Sequence, residues 1–352
     1  MNLLEKDFIT DAYHLDKITA LFETVQEAPS NIALVKYWGK YAVQLPMNPS
    51  VSFTLNKSKT ITKARVELLS EKTQKTQFKF LFEGVHKPDF ELKIADFFKR
   101  IDKFVPFINH FKWTFDSRNT FPHSSGIASS ASGFAALAKI IMAIEKELNP
   151  EISDAYLQAK TSFLARLGSG SAARSFVSPA MIWGAHPQLK YTSDLYAIAP
   201  DFELHSVFNN YQDTIILVEK AQKKVSSTVG HNLMNSHPYK AIRKQQAFDN
   251  TLKILEILKT GEIDKFIDLV EAEALSLHAL MMSSKPNYVL MQAETLHIIH
   301  EIRNYRQTNG SKVCFTLDAG ANVHVLYPEN EKESVLAFLQ NITNKEMILD
   351  FV

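Results

Sequence analysis

Residues 122–133 read PHSSGIASSASG and run straight into FAALAKIIMAIEKEL at 134–148. From Ile127 to about Leu148 the pattern is that of a long Ala-rich helix, with Phe134, Leu137, Ile141 and Ile144 on one side. The first stretch is a loop of small residues whose backbone is able to wrap closely around a ligand. Where such a loop opens a helix, the first N–H groups lack partners and the dipole presents its positive end, which together favour a phosphate. Serine hydroxyls add donors to phosphate oxygens and ligands for Mg²⁺. The same composition also serves close helix packing, and on these residues alone both readings stay open. The Gly-Lys-Ser/Thr ending of a Walker loop is absent, as is the G-x-G-x-x-G fingerprint of a dinucleotide site.

Working outward, the stretch before this loop reads as strands around one helix. Thr62–Leu69 and Gln77–Glu83 carry strand patterns, and Phe90–Phe104 is amphipathic and helical. After it comes a second helix near Ala155–Leu167, ending at the glycines of LGSGSAARS, then strand-like runs at Phe176–Trp183 and Thr214–Glu219. The polar, proline-containing stretch Ala185–Asn210 is the expected domain junction. Two long helices, about Pro238–Lys259 and Ile263–Met282, lead to a strand pair, Val313–Leu317 and Val323–Tyr327, joined by Asp318-Ala319-Gly320-Ala321-Asn322. Strands and helices alternate without the period of a doubly wound parallel sheet, so an α+β protein of two lobes is expected.

Three further constellations carry chemistry. Gly168–Ser175 is a second Ser/Gly loop, with Arg174 able to grip a carboxylate or phosphate through two parallel hydrogen bonds. Asn31–Val35 is a buried strand that delivers Lys36, Tyr37, Trp38 and Lys40 at its end, two cations and two aromatics suited to an anion. Asp318 follows an apolar strand, where a turn aspartate is the ordinary explanation. Each has a bland reading as a solvated loop or strand exit.

The bulk properties exclude whole classes. Lysine plus arginine number 39 against 38 for aspartate plus glutamate, a balance that leaves no footprint for nucleic acid or an anionic membrane. The single cysteine, Cys314, lies in an apolar strand and reads as an inert buried thiol. No stretch has the length of a membrane span, and the N-terminus lacks a secretory pattern, so the cytoplasm is the expected compartment. His297 and His300 share a helix face with no third metal ligand evident, and Trp113 reads as core.

Taken together and in this order, the segments resemble one family. Asn31–Lys40, with Leu45–Asn48 and Ser52–Leu55, resembles the N-terminal signature of diphosphomevalonate decarboxylases. Ser125–Gly133 resembles their ATP-phosphate loop, shared across the galactokinase/homoserine kinase/mevalonate kinase/phosphomevalonate kinase (GHMP) superfamily, and Gly168–Ser175 and Asp318–Gly320 match motifs of the decarboxylase branch. The likeness begins near Thr24.

The resemblance implies a two-lobed GHMP-kinase-type fold: an N-terminal extension at 1–22, a βαβ-rich ATP-binding lobe at 23–200 and a ferredoxin-like C-terminal lobe at 201–352, with the active site in the cleft. It implies ATP-dependent decarboxylation of (R)-5-diphosphomevalonate to isopentenyl diphosphate, ADP, phosphate and CO₂ by a homodimer using ATP and Mg²⁺. By position, Asp318 would orient or deprotonate the C3 hydroxyl, Lys36 would stabilise phosphoryl charge, and Arg174, steadied by Asn31, would hold the carboxylate. Tyr37, Lys40, Ser169, Gly170, Ser171 and Ser227 would surround the substrate. Ser124, Ser125, Gly126, Ala128, Ser129 and Ser130 would hold ATP, with Ser130 in reach of Mg²⁺.

Some positions depart from the family pattern. Tyr41–Gln44 replaces a longer stretch with an Arg-Asp pair, Ala173 a common cysteine, Ala321 a proline and Thr228 a phosphate-binding arginine. These bear on the number of substrate phosphates, and a phosphomevalonate decarboxylase or mevalonate 3-kinase is the near alternative. An inactive ligand-binding relative is the alternative of another class.

Overall fold

Strand β1 (Leu21–Val35) pairs antiparallel with β4 (Ser50–Leu68), from Leu21↔Glu67 to Val35↔Val51, and the pair forms the spine of the protein. Burial along it changes character. Ser58, Thr60, Thr62, Ala64 and Val66 are buried while the residues between them face outward, the alternation of a sheet covered on one face. Residues 28–35 and 50–55 are buried on both faces, because there a second lobe covers the sheet. In this computed structural model residues 3–122, 127–176, 178–220 and 227–352 are described, with Ser227 and Thr228 described by their backbone.

A small hairpin, β2 (Lys40–Ala42) and β3 (Leu45–Pro46), links the two spine strands. Beyond β4, β5 (Gln77–Phe82) and β6 (Val85–His86) lead into helix α1 (Pro88–Ile101), which crosses to β7 (Phe111–Asn119). β5 and β7 are parallel, as a helical crossover requires, and every other pairing of this sheet is antiparallel. Helices α2 (Ser129–Leu148) and α3 (Asp154–Gly168) pack beside it. β8 (Ala180–Trp183) pairs with the start of β4; the strand expected from Phe176 begins at Ala180, since Ser178 and Pro179 form a bend.

The N-terminal residues expected as an extension are built into this lobe. Phe8 is fully buried and stacks on Phe163 with ring centres 4.3 Å apart. Lys160 Nζ donates to Thr10 Oγ1 and Glu145 Oε1, at 2.6 and 2.7 Å, in a buried network.

The remaining chain forms β9 (Gln212–Ile216), four helices, β10 (Cys314–Thr316), β11 (Val323–Tyr327), α8 (Lys332–Ile342) and β12 (Met347–Phe351). The helices are α4 (Ser227–Leu233), α5 (Lys240–Thr260), α6 (Ile263–Ser283) and α7 (Ala293–Asn309). The sheet order β10-β11-β9-β12, all antiparallel, is that of a ferredoxin-like sandwich. Across the seam Phe53 meets Phe208, Tyr211 and Phe266 at ring distances of 6.1, 6.0 and 5.8 Å. No helix among the described residues is long and apolar enough to cross a membrane. Cys314 is buried, which raises its thiol pKa well above the ordinary value.

Candidate active site

Lys36 lies one residue beyond β1, and its side chain is almost wholly buried. Its Nζ donates to the Ala33 carbonyl at 2.6 Å and to Asp318 Oδ1 at 3.1 Å. Asp318 sits in the turn from β10 to β11, its side chain 31% exposed, so one partner is sealed in and the other reaches the cleft. Burial pulls the Lys36 pKa below the ordinary lysine value, and the Asp318 charge opposes that fall. Behind Asp318, His278 Nε2 donates to the Asp318 carbonyl at 3.1 Å. Burial holds His278 at about 4, so its ring is neutral at pH 7.

Arg174 closes a short 3₁₀ turn, Gly170–Arg174, that follows α3. Its Nη1 donates to Ser50 Oγ at 2.6 Å and its Nη2 to Asn31 Oδ1 at 3.4 Å, while the guanidinium lies 5.7 Å from the Trp183 ring centre. Asn31 is held in turn, its Nδ2 donating to Ser175 Oγ at 2.8 Å. Arg174 Nε is buried without a hydrogen-bond partner among the described residues. Burial lowers the guanidinium to about 10, which leaves it charged at neutral pH. A buried cation held by neutral oxygens, with a donor to spare, suits a carboxylate or phosphate.

Around this pair the Ser/Gly loop comes close. A Cβ at Gly170 would stand 2.8 Å from Tyr37 Oη and 2.9 Å from Trp183, so only glycine fits. The Tyr37 ring lies between Trp183 at 4.8 Å and His231 at 4.3 Å, and its hydroxyl is buried without a hydrogen-bond partner among the described residues. Lys40 Nζ donates to Gln44 Oε1 at 2.6 Å, and burial, with a smaller push from Arg100, brings its pKa down to about 8. Ser169 Oγ stands 3.5 Å from both Ser171 Oγ and Ser130 Oγ, which ties this loop to the start of α2.

There Ala128 takes a left-handed backbone at φ 33°, and Ser129 and Ser130 open a 20-residue helix. Hydroxyls and helix-start N–H groups of this kind fit a magnesium-bound polyphosphate. Ser124, Ser125 and Gly126 lie outside the described residues, as does the side chain of Ser227, whose backbone begins α4.

The structure thus brings Lys36, Asp318, Arg174, Asn31, Tyr37 and the Gly168–Ser175 loop to one cleft. It adds residues that sequence reading did not single out: Ser50, Trp183, His231 and His278. Ser50 lies just before the quoted Ser52–Leu55 stretch, two positions from Ser52 and therefore on the same strand face, the one signal that pointed to it. His297 pairs with the Ile342 carbonyl at 3.3 Å, and no cluster of metal-binding side chains occurs among the described residues.

A two-lobed α+β fold whose cleft joins a Ser-rich helix start to a buried lysine and a cleft-facing aspartate is of the GHMP-kinase type. Residues 28–196 match the diphosphomevalonate decarboxylase-like N-terminal domain, and residues 214–351 the mevalonate 5-diphosphate decarboxylase C-terminal domain. The chain belongs to the diphosphomevalonate decarboxylase family, whose members are ATP-dependent decarboxylases. It is 30% identical to the diphosphomevalonate decarboxylase of Candida albicans over 327 residues, covering 89% of this chain and 86% of that protein. Among solved structures, the mevalonate diphosphate decarboxylase of Staphylococcus aureus is 26% identical with a TM-score of 0.80, covering 96% of this chain and 97% of that one. A structure of MDDEF in complex with MVAPP, AMPPCP and magnesium is likewise 26% identical with a TM-score of 0.80, covering 94% and 97%.

Proposed function

We propose that this chain converts (R)-5-diphosphomevalonate to isopentenyl diphosphate, ADP, phosphate and CO₂, with the chemistry centred on Asp318, Lys36 and Arg174. The observation that carries the reading is the 3.1 Å contact between Lys36 and Asp318, from opposite ends of the chain. Magnesium-bound ATP supplies the phosphoryl group that makes the C3 hydroxyl a leaving group. Asp318, exposed to the cleft, accepts the proton of that hydroxyl or aligns it. Lys36, paired with the Asp318 carboxylate, offsets negative charge on the phosphoryl group in flight. Arg174, braced by Ser50 and Asn31, grips the substrate carboxylate until it departs as CO₂. Its grip is directional, because a guanidinium meets a carboxylate in one plane.

In the same reading Tyr37, Lys40, Ser169, Gly170, Ser171 and Ser227 surround the substrate. Ser124–Gly126 and Ala128–Ser130 take the ATP phosphates, with Ser130 beside Mg²⁺. Residues 23–200 form the ATP lobe and 201–352 the C-terminal lobe of a cytoplasmic homodimer. The test is ATP-dependent CO₂ release from mevalonate, its 5-phosphate and its 5-diphosphate. Release mainly from the diphosphate, abolished by Asp318→Ala, supports the proposal. Preference for the monophosphate would move the substrate and keep the chemistry. Phosphorylation without CO₂ would mean a 3-kinase, and binding without turnover an inactive relative.

A further inference from the structure

The Lys36 peptide is gripped from behind by a buried ion pair that no part of the proposed reaction uses. Glu273 of α6 accepts the Lys36 backbone N–H on Oε2 at 2.8 Å. Arg243 of α5 donates Nη2 to the Lys36 carbonyl at 2.9 Å. The two are locked together, with Nη1 to Oε1 and Nη2 to Oε2 both at 2.7 Å, and Arg243 and Glu273 side chains 3% and 0% exposed. Asn250 Nδ2 adds a bond to Glu273 Oε1 at 2.6 Å, and Asn48 Nδ2 a second bond to the Lys36 carbonyl at 3.0 Å.

Each feature of this arrangement costs free energy unless something requires it. Two charges have been taken out of water, and well-packed apolar residues often do as well or better for stability. Yet both backbone polar groups of one residue, the N–H and the C=O of Lys36 in the two peptides that flank its Cα, are paired with opposite ends of the same ion pair. Lys36 has left β1 by then, so no sheet ladder holds it. A loop peptide at a strand end would otherwise rock, and the ammonium with it.

We propose that Arg243 and Glu273 are positioning residues that clamp the Lys36 peptide and, as a neutral pair, keep the charge of Lys36 under the control of Asp318. This rests on the reading of Lys36 as a reacting residue. The charged and titratable groups that act on the Lys36 ammonium come from several elements. They are Asp318 after β10, Glu273 of α6 and Arg174 of the Gly170–Arg174 turn, with His278 of α6 and Asp213 of β9 also coupled to it. Arg243 is the opposite charge bonded to both oxygens of Glu273.

Neutrality of the clamp gives an opposite-sign test. Glu273→Gln keeps an oxygen for the Lys36 N–H but leaves the Arg243 cation unbalanced, so the Lys36 pKa falls. Arg243→Gln leaves the Glu273 carboxylate unbalanced, so the Lys36 pKa rises. The double variant restores neutrality and returns the pKa toward that of the wild type. The measurement is a ¹³C NMR titration of ε-labelled lysine in the full-length protein, with Lys36 assigned through Lys36→Arg and folding checked by circular dichroism.

Shifts of roughly half a unit or more in opposite directions are expected, with kcat lowered roughly tenfold or more in all three variants and KM changed less. Shifts of the same sign, or none in variants that remain folded, would overturn the clamp's electrostatic role. If a single variant unfolds, the neutral double variant decides: unchanged kcat there overturns the positioning role. Absence of CO₂ release from the wild type would overturn the reading of the reaction and leave the NMR result standing.

Discussion

At the residue scale, the cleft is organised by burial of cations whose neighbours are arranged to hold them in place. In the proposed reaction Asp318 faces the reacting hydroxyl, so Asp318→Asn, which keeps shape and loses basicity, is expected to cut kcat by about 10²–10⁴-fold while ATP binding persists. Steady-state kinetics with a nucleotide-binding titration checks this, and an active Asn variant would leave Asp318 a spectator. Lys40 sets a pH limit. Its pKa is down at about 8, so in the free enzyme it loses its charge as pH rises through that value. The kcat/KM for a phosphorylated substrate should therefore fall above pH about 8, and Lys40→Arg should move that limb to higher pH. A limb unmoved by the substitution would mean that Lys40 does not meet the phosphates. Asp318, Arg174, Asn31, Lys36 and Lys40 were all legible as candidates, because each sits in a short motif. Glu273 and Arg243 were not, because nothing near them in the chain marks them as partners, and Ser50 had only its place beside the Ser52–Leu55 stretch to point to it.

At the element scale, most helices and strands followed from local pattern. Apolar spacing placed α2 and α3, and Asp154–Gly168 differs from the expected Ala155–Leu167 by one residue at each end. Pattern did not foretell that β4 runs for 19 residues or that its first third is covered on both faces. It also did not foretell the role of the last strand. Asp350 in β12 accepts three backbone N–H groups of β4, from Asn56 and Lys57 on Oδ1 at 2.9 and 2.7 Å and from Ser58 on Oδ2 at 2.6 Å. Asp350→Ala strands those donors and should destabilise the protein by about 2–4 kcal/mol, read by urea unfolding. A loss below ~0.5 kcal/mol would show that water replaces the carboxylate. Phe8→Ala tests the N-terminal segment in the same way, with a loss of about 3–5 kcal/mol expected for an aromatic at the centre of a packed core.

At the scale of the whole molecule, the site exists only where two lobes meet. Lys36 and Arg174 come from the first and Asp318 from the second, while α5 and α6 reach across to the end of β1. Ligands that bridge them should stabilise both lobes together: at 100 times its Kd, a bound substrate adds about 2.7 kcal/mol. Calorimetry should then show a single transition moving upward, and two transitions of which one moves would mean that the lobes unfold independently. By itself the sequence determined the two-lobed class and the order of most elements as far as β11, and it singled out the candidate loops, since these depend on periodicity and on residues within a few positions of each other. Only the tertiary structure decided which loops share a cleft, that Lys36 is sealed while Asp318 is open, and that Arg243 and Glu273 stand behind it. Those facts depend on burial and on contacts between residues up to 282 positions apart, and a chain records no such distances until antiparallel register and lobe packing have brought its ends together.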